Sequence, residues 1–152
     1  MKSSIPTLRF DPPRSGWLGI TVSSGKQKIL VNTSSVFDPF PDFLKWLEKL
    51  AASELPCAWR INEEDSFMLF IVQPAEGGKG RLVLRGTRER DGAPDDTQDI
   101  VEFINTPVDP QELARSFSQA FWRYLKKGFI SAEWGDDLRR MDFSRLEELL
   151  DR

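Results

Sequence analysis

The 152-residue sequence contains no histidine, a single cysteine and no long hydrophobic run. The absence of histidine excludes Ser–His and Cys–His nucleophile pairs, histidine general bases and histidine metal ligands. Cys57 alone cannot form an intrachain disulfide or a cysteine-based zinc site, which favours a reducing compartment. No stretch approaches the ~20 apolar residues of a membrane span, and the N-terminal residues lack the apolar run of a signal peptide. We therefore expect a cytoplasmic protein with no membrane segment.

Charge is nearly balanced, with 21 Lys and Arg against 24 Asp and Glu for a net charge of −3. Nucleic-acid-binding domains are normally strongly basic, so we expect no nucleic-acid partner. Arginines do cluster, at Arg81, Arg85, Arg88 and Arg90. Acidic residues flank this cluster and should neutralise it: Glu89, Asp91, Asp95, Asp96 and Asp99.

Six segments have the apolar pattern of β-strands. Residues 17–22 alternate with period two, and residues 28–32 follow after a short turn, which predicts a hairpin. Residues 67–72 are apolar at both parities, as expected of a central strand with both faces covered. The remaining predicted strands cover residues 58–62, 81–85 and 100–104.

Capping residues and helical periodicity predict two long helices and a short C-terminal one. Asp38 and Pro39 form a typical helix start, and an apolar stripe continues to about residue 53. At Asp109, a carboxylate, a proline and a glutamate three residues on form a second capping motif. The third helix is predicted over 143–150.

The predicted element order is ββαββββα with the terminal helix added. Short turns between most strands imply antiparallel pairing, and no linker or internal repeat divides the chain. We therefore predict a single α+β domain over residues 1–152. It has a mainly antiparallel sheet of about six strands, two long helices packed on one face and a short C-terminal helix.

Three kinds of group suggest chemistry, and each has a simpler structural explanation. Residues 77–80 are glycine-rich, but a strand follows instead of the helix that a phosphate-binding loop needs, which indicates a hairpin turn. Cys57 begins an apolar strand without a histidine to activate it, so we expect it to be buried. We interpret the acidic groups as solvated turn charges, leaving open a divalent cation, and expect no cofactor. They are Glu63, Glu64 and Asp65; Asp95, Asp96 and Asp99; and Asp136 with Asp137.

Aromatic residues are frequent, at 11% of the chain including five Trp, and the apolar stripes place most Phe in the core. If both long helices pack on one sheet face, the other face carries Trp17, Leu30, Val83 and one parity of strand 67–72. A contiguous apolar patch of that kind usually marks an interaction surface. In the alternative arrangement, the C-terminal segment covers part of it. That segment contributes Trp134, Leu138, Met141 and Phe143.

These observations favour a non-enzymatic protein that binds another protein, or a second copy of itself, through this second face, as an inhibitor, immunity-type or adaptor domain does. Trp and Arg dominate binding hot spots. The predicted binding residues are Trp17, Leu30, Val83, Arg85 and Trp122.

The alternative function is a carboxylate-based enzyme or small-ligand binder. Its predicted pocket lies between the sheet and the helices, near Trp59, Arg60 and Glu63. A concave pocket with two converging carboxylates would favour this alternative. A filled core with a flat apolar patch would favour the protein-binding domain.

Overall fold

Two antiparallel sheets and four α-helices form the α+β architecture of the computed structural model, which describes residues 5–88 and 99–151. One sheet has the strand order β1-β2-β3, comprising Thr7–Phe10, Trp17–Ser24 and Gln27–Ser34. The other has the order β4-β5-β6-β7, comprising Cys57–Asn62, Phe67–Pro74, Gly80–Arg88 and Asp99–Val108. The helices are α1 Phe40–Ala51, α2 Pro110–Lys127, α3 Ser131–Trp134 and α4 Ser144–Leu150.

The predicted fold class is confirmed, but the prediction of one sheet with about six strands is wrong. The described residues form seven strands in separate sheets of three and four. The strand that sequence reasoning missed is β1, whose four residues are too few for a clear alternation. The sheets separate between β3 and β4, where α1 interrupts the strands. One hydrogen bond connects the two sheets near this point: the backbone N–H of Asn32 on β3 donates to Glu63 Oε2, just after β4, over 2.9 Å.

Both sheets and α1 contribute to one aromatic core. Trp59 on β4 lies between two phenylalanine rings, with centroid distances of 4.3 Å to Phe43 and 4.8 Å to Phe70. Its indole N–H donates to the Pro39 carbonyl over 2.9 Å. Trp46 packs against the same group, 5.7 Å from Trp59. These contacts hold α1 against the inner face of the four-stranded sheet.

The C-terminal segment packs on the helical side of the fold. Trp134 meets Phe40 of α1 at 5.6 Å between centroids, and Phe143 meets Phe121 and Trp122 of α2, both at 6.1 Å. The segment also contacts the chain just before β2, where the Gly16 N–H donates to the Glu133 carbonyl over 2.7 Å. No helix in the described part of the chain is both long and apolar enough to cross a membrane.

The start of α2 matches the predicted cap, whereas α1 begins one residue later than predicted, with Pro39 in the N-cap position and Asp38 before it. The Phe40 N–H donates to Asp38 Oδ1 over 3.0 Å, and α1 then runs to Ala51, slightly short of the predicted end. Asp109 caps α2 by accepting hydrogen bonds from Gln111 and Glu112 N–H at 3.0 and 3.1 Å.

Replacing Asp109 by alanine is expected to lower the free energy of unfolding by about 1–2 kcal/mol, because two helix N–H groups lose their acceptor. Burial acts to raise the pKa of Asp109, but hydrogen bonds from the Glu112 amide and the Lys79 ammonium outweigh it and the pKa falls below its ordinary value. The folded-state pKa therefore lies below the unfolded one. This contribution is present above about pH 4 and is lost as the pH falls through the folded-state pKa.

Urea unfolding followed by circular dichroism at pH 7 and pH 3 measures both effects. Asp109→Asn is the matched control, since an amide oxygen still caps the helix. The Lys79 pair that it loses is exposed and worth little. Equal stability of the alanine variant and the wild type at pH 7 would contradict the role of the cap.

Candidate functional site

The four-stranded sheet has an inner face packed against the helices and an outer face that alternates with it along each strand. On β4 every second residue is buried, and the residues between them, Ala58, Arg60 and Asn62, are exposed. On β5 the outward residues Phe67, Leu69 and Ile71 are partly buried. We call the outward side of β4–β7 the outer face.

Strand register aligns the outward residues in rows across the sheet. Directly opposite residues lie on the same face and their side chains interact. One row crosses all four strands in the order Arg60, Leu69, Arg85, Glu102, and the next runs Ala58, Ile71, Val83, Asn105. The aliphatic strip formed by Leu69, Ile71 and Val83 is therefore flanked by charged and polar side chains on both sides.

A β-bulge places Glu102 in this row. Register shifts between Leu84 and Arg85, so that Leu84 pairs with Ile104 but Arg85 pairs with Glu102. The extra residue is Phe103, whose ring lies close to Gly86 and packs against the core. In a regular ladder without the bulge, Arg85 would pair with Phe103 and Glu102 would pair with Gly86.

Contacts hold the outer-face arginines in different ways. The Arg60 guanidinium lies 4.5 Å from the centre of the Phe67 ring. Arg81 Nη1 donates to Asn105 Oδ1 over 2.6 Å, whereas Arg85 Nε and Glu102 Oε1 are 3.7 Å apart. A charge-assisted hydrogen bond is usually 2.7–2.9 Å long, so Arg85 and Glu102 form only a loose ion pair.

The outer face has an aliphatic centre and a polar rim that contains arginine, a residue type enriched at protein interfaces. No family model, curated protein or solved structure matches the chain.

The outer face carries three arginines and one glutamate among its strand residues with described side chains, namely Arg60, Arg81, Arg85 and Glu102. It is therefore locally basic on a chain whose net charge is −3.

Of the five predicted binding residues, Val83 and Arg85 lie on the outer face. Arg85 is partly exposed, with 43% of its side-chain surface accessible. Val83 is only 1% exposed, so it contributes to the floor of the strip and offers little surface to a partner. Its neighbours across the strands, Ile71 and Asn105, flank it.

The other three predicted residues lie elsewhere, because the sheet is divided. Trp17 and Leu30 are exposed on the outward side of the three-stranded sheet, at 44% and 57%. Trp122 lies on α2 among the helices, where its ring meets Phe143 and lines a groove of about 470 Å³. The structure therefore does not bring the five residues into one patch.

Sequence analysis placed one parity of strand 67–72 on the second face without choosing Leu69 and Ile71 individually, and it did not assign Arg60 or Glu102 to that face. Arg60 was assigned to the alternative pocket, and the outward position of Glu102 depends on the bulge, which the sequence pattern does not reveal. Of the arginine cluster, Arg81 and Arg85 lie on β6 and Arg88 ends it, whereas Arg90 and the acidic residues from Glu89 to Asp96 lie outside the described residues.

The residues of the alternative pocket point in different directions. Trp59 is fully buried in the core, Arg60 lies on the outer face, and Glu63 lies in the turn after β4. The Glu63 carboxylate accepts from Asn32 N–H and from Ser66 Oγ, both at 2.9 Å. Both oxygens of this carboxylate thus fix the turn and the junction of the sheets.

A shallow hollow of about 240 Å³ lies beside Glu63, with Asp65 also on its rim and Met68 and Phe103 among its apolar lining. In the described part of the chain, no group of three or more Asp, Glu or Cys side chains has metal-site geometry. Asp38, whose pKa burial raises despite a hydrogen bond from the Phe40 amide, does not line this hollow.

The remaining chemical candidates have structural roles. Cys57 is buried, and burial raises the pKa of its thiol to about 11, which opposes thiolate formation at neutral pH. Residues 76–78 form a short 3₁₀ turn that leads directly into β6, as the hairpin interpretation of the glycines expected. Asp137 accepts from the Arg139 backbone and side chain, and so caps its own turn.

Proposed function

We propose that this chain is a non-catalytic protein-binding domain whose outer face binds an extended segment of another protein. The observation that carries this proposal is the row Arg60, Leu69, Arg85, Glu102, in which an aliphatic centre lies between charged side chains. Leu and Ile side chains supply apolar contact, and the arginines supply directional hydrogen bonds at the rim.

The size of the outer face favours a segment over a second copy of the chain. The four strands lie about 4.8 Å apart and rise about 3.3 Å per residue, which gives the face a planar area on the order of 500 Å². A stable interface between globular proteins buries about 800 Å² on each partner. Two copies meeting face to face would also bring their arginines together, and like charges across an interface repel.

Selection from a random 12-residue peptide library on phage, with the purified chain as target, tests the proposal. We expect enriched peptides to lose at least about tenfold in affinity for the Leu69→Asp variant, because the substitution removes apolar contact from the centre of the interface. Position 69 lies opposite Arg60 and Arg85, so the introduced carboxylate has cationic neighbours and we expect the variant to fold.

Leu30→Asp is the matched control, as it makes the same change at an exposed position of the other sheet. Its affinity should equal that of the wild type. A library without binders, or binders that depend on Leu30 and not on Leu69, would contradict the proposal. Light scattering is expected to show a monomer; a dimer that Leu69→Asp dissociates would instead assign the outer face to a second copy.

A further inference from the structure

Glu102 occupies a distinctive position in the outer face. It is the only acidic side chain described on the strand positions of this face, and it lies opposite Arg85. Its Oε1 is 3.7 Å from Arg85 Nε, and its Oε2 accepts from Asn105 Nδ2 over 3.4 Å. Asn105 in turn accepts from Arg81 over 2.6 Å.

Both contacts of Glu102 are long. A guanidinium presents five N–H donors in a planar fork that matches a carboxylate with two parallel hydrogen bonds of about 2.7–2.9 Å. The 3.7 Å between Arg85 Nε and Glu102 Oε1 is beyond hydrogen-bond distance. Both side chains are close to half exposed, so an incoming carboxylate can approach the fork from solvent.

We infer that the outer face recognises an acidic segment, one whose carboxylate binds Arg85 through both oxygens while Glu102 competes for the same arginine. This inference rests on the proposed function. It adds that the partner is acidic and that Glu102 lowers the affinity of the outer face for it. Charge supports it, because the described strand positions carry three arginines and one glutamate. The apolar residues of the segment lie on Leu69 and Ile71.

Fluorescence anisotropy on the selected peptides tests this inference directly. Peptides containing Asp or Glu are expected to bind Glu102→Gln about three to ten times more tightly than the wild type, because the competing charge is gone and the amide keeps a similar shape. Arg85→Gln is expected to weaken binding by tenfold or more. Arg85→Lys should recover only part of that loss, since lysine keeps the charge but lacks the planar fork.

Each peptide is paired with a version in which Asn and Gln replace Asp and Glu. These neutral versions should bind weakly and should not respond to Glu102→Gln. If neutral and acidic peptides bind equally well and still depend on Leu69, the proposed function stands and the acidic partner is wrong. If no peptide depends on Leu69, the proposed function itself fails.

A labelled 12-nucleotide single strand of DNA is the competing probe, because phosphates also bind arginine forks. We expect no binding at 0.15 M salt. Binding tighter than that of the acidic peptides, with the same dependence on Arg85, would overturn the inference in favour of nucleic acid.

Discussion

Replacing Trp59 by alanine is expected to lower the free energy of unfolding by about 3–5 kcal/mol, the loss typical of removing a large buried aromatic side chain. Trp59 has no exposed surface, stacks between Phe43 and Phe70 and donates to the Pro39 carbonyl. A domain of this size is stable by about 5–15 kcal/mol, so one substitution removes a large part of its stability. Urea unfolding followed by circular dichroism measures the change.

Two milder substitutions separate packing from hydrogen bonding in the same core. Trp59→Phe and Trp46→Phe each replace an indole that is at most 1% exposed by a smaller ring. The indole N–H of Trp59 donates over 2.9 Å, whereas that of Trp46 has no hydrogen-bond partner among the described residues. Trp59→Phe should therefore cost about 1 kcal/mol more than Trp46→Phe. Equal losses would show that the Pro39 hydrogen bond contributes nothing.

Substituting alanine for Gly86 is expected to destabilise the fold by about 1–3 kcal/mol, as overpacking of a filled core does. A Cβ at this position would lie 2.8 Å from the Phe67 carbonyl oxygen and 3.3 Å from the Phe103 ring, and would collide with Met68 Sδ. The carbonyl belongs to the neighbouring strand and cannot move without disturbing the pairing of β5 with β6. Thermal unfolding of the purified variant measures the loss.

Gly19→Ala is the matched control for Gly86→Ala. Both glycines lie within strands, but the atoms nearest to a Cβ at Gly19 belong to the Asp11 and Leu30 side chains, at 2.7 and 3.2 Å. These side chains can move, so the control should stay within about 1 kcal/mol of the wild type. A Gly86→Ala variant as stable as the control would contradict close packing between Met68 and Phe103.

The local elements could be predicted because short-range signals determine them. Asp109 with the proline after it marks the start of α2, and residues 67–72 form a central strand as their continuous apolar run predicts. The division into two sheets could not be predicted in the same way. It depends on which strand edges hydrogen-bond across α1, and β1 adds only four residues to the pattern.

The candidate site was predicted less completely than the fold. Parity along β5 correctly gives an outward row of apolar residues, but Trp17 and Leu30 belong to the other sheet and Trp122 to the helical side. Long-range placement of these residues follows from tertiary packing, which residue spacing does not encode. Arg60 and Trp59 are adjacent in sequence and lie on opposite faces, because successive residues of a strand alternate.

The single extra residue in β7 divides that strand into two halves of opposite phase. Ile104 points inward at an even position, yet Glu102, also even, points outward, and Val101 lies opposite the inward Gly86. A prediction that assumes regular inward and outward alternation along all of β7 therefore places one half of its residues on the wrong face of the sheet. Phe103 is thus a spacer that determines which side chains share a surface with Arg85. The bulge at Phe103 therefore determines by chain geometry alone that Glu102, and not its neighbour, lies opposite Arg85.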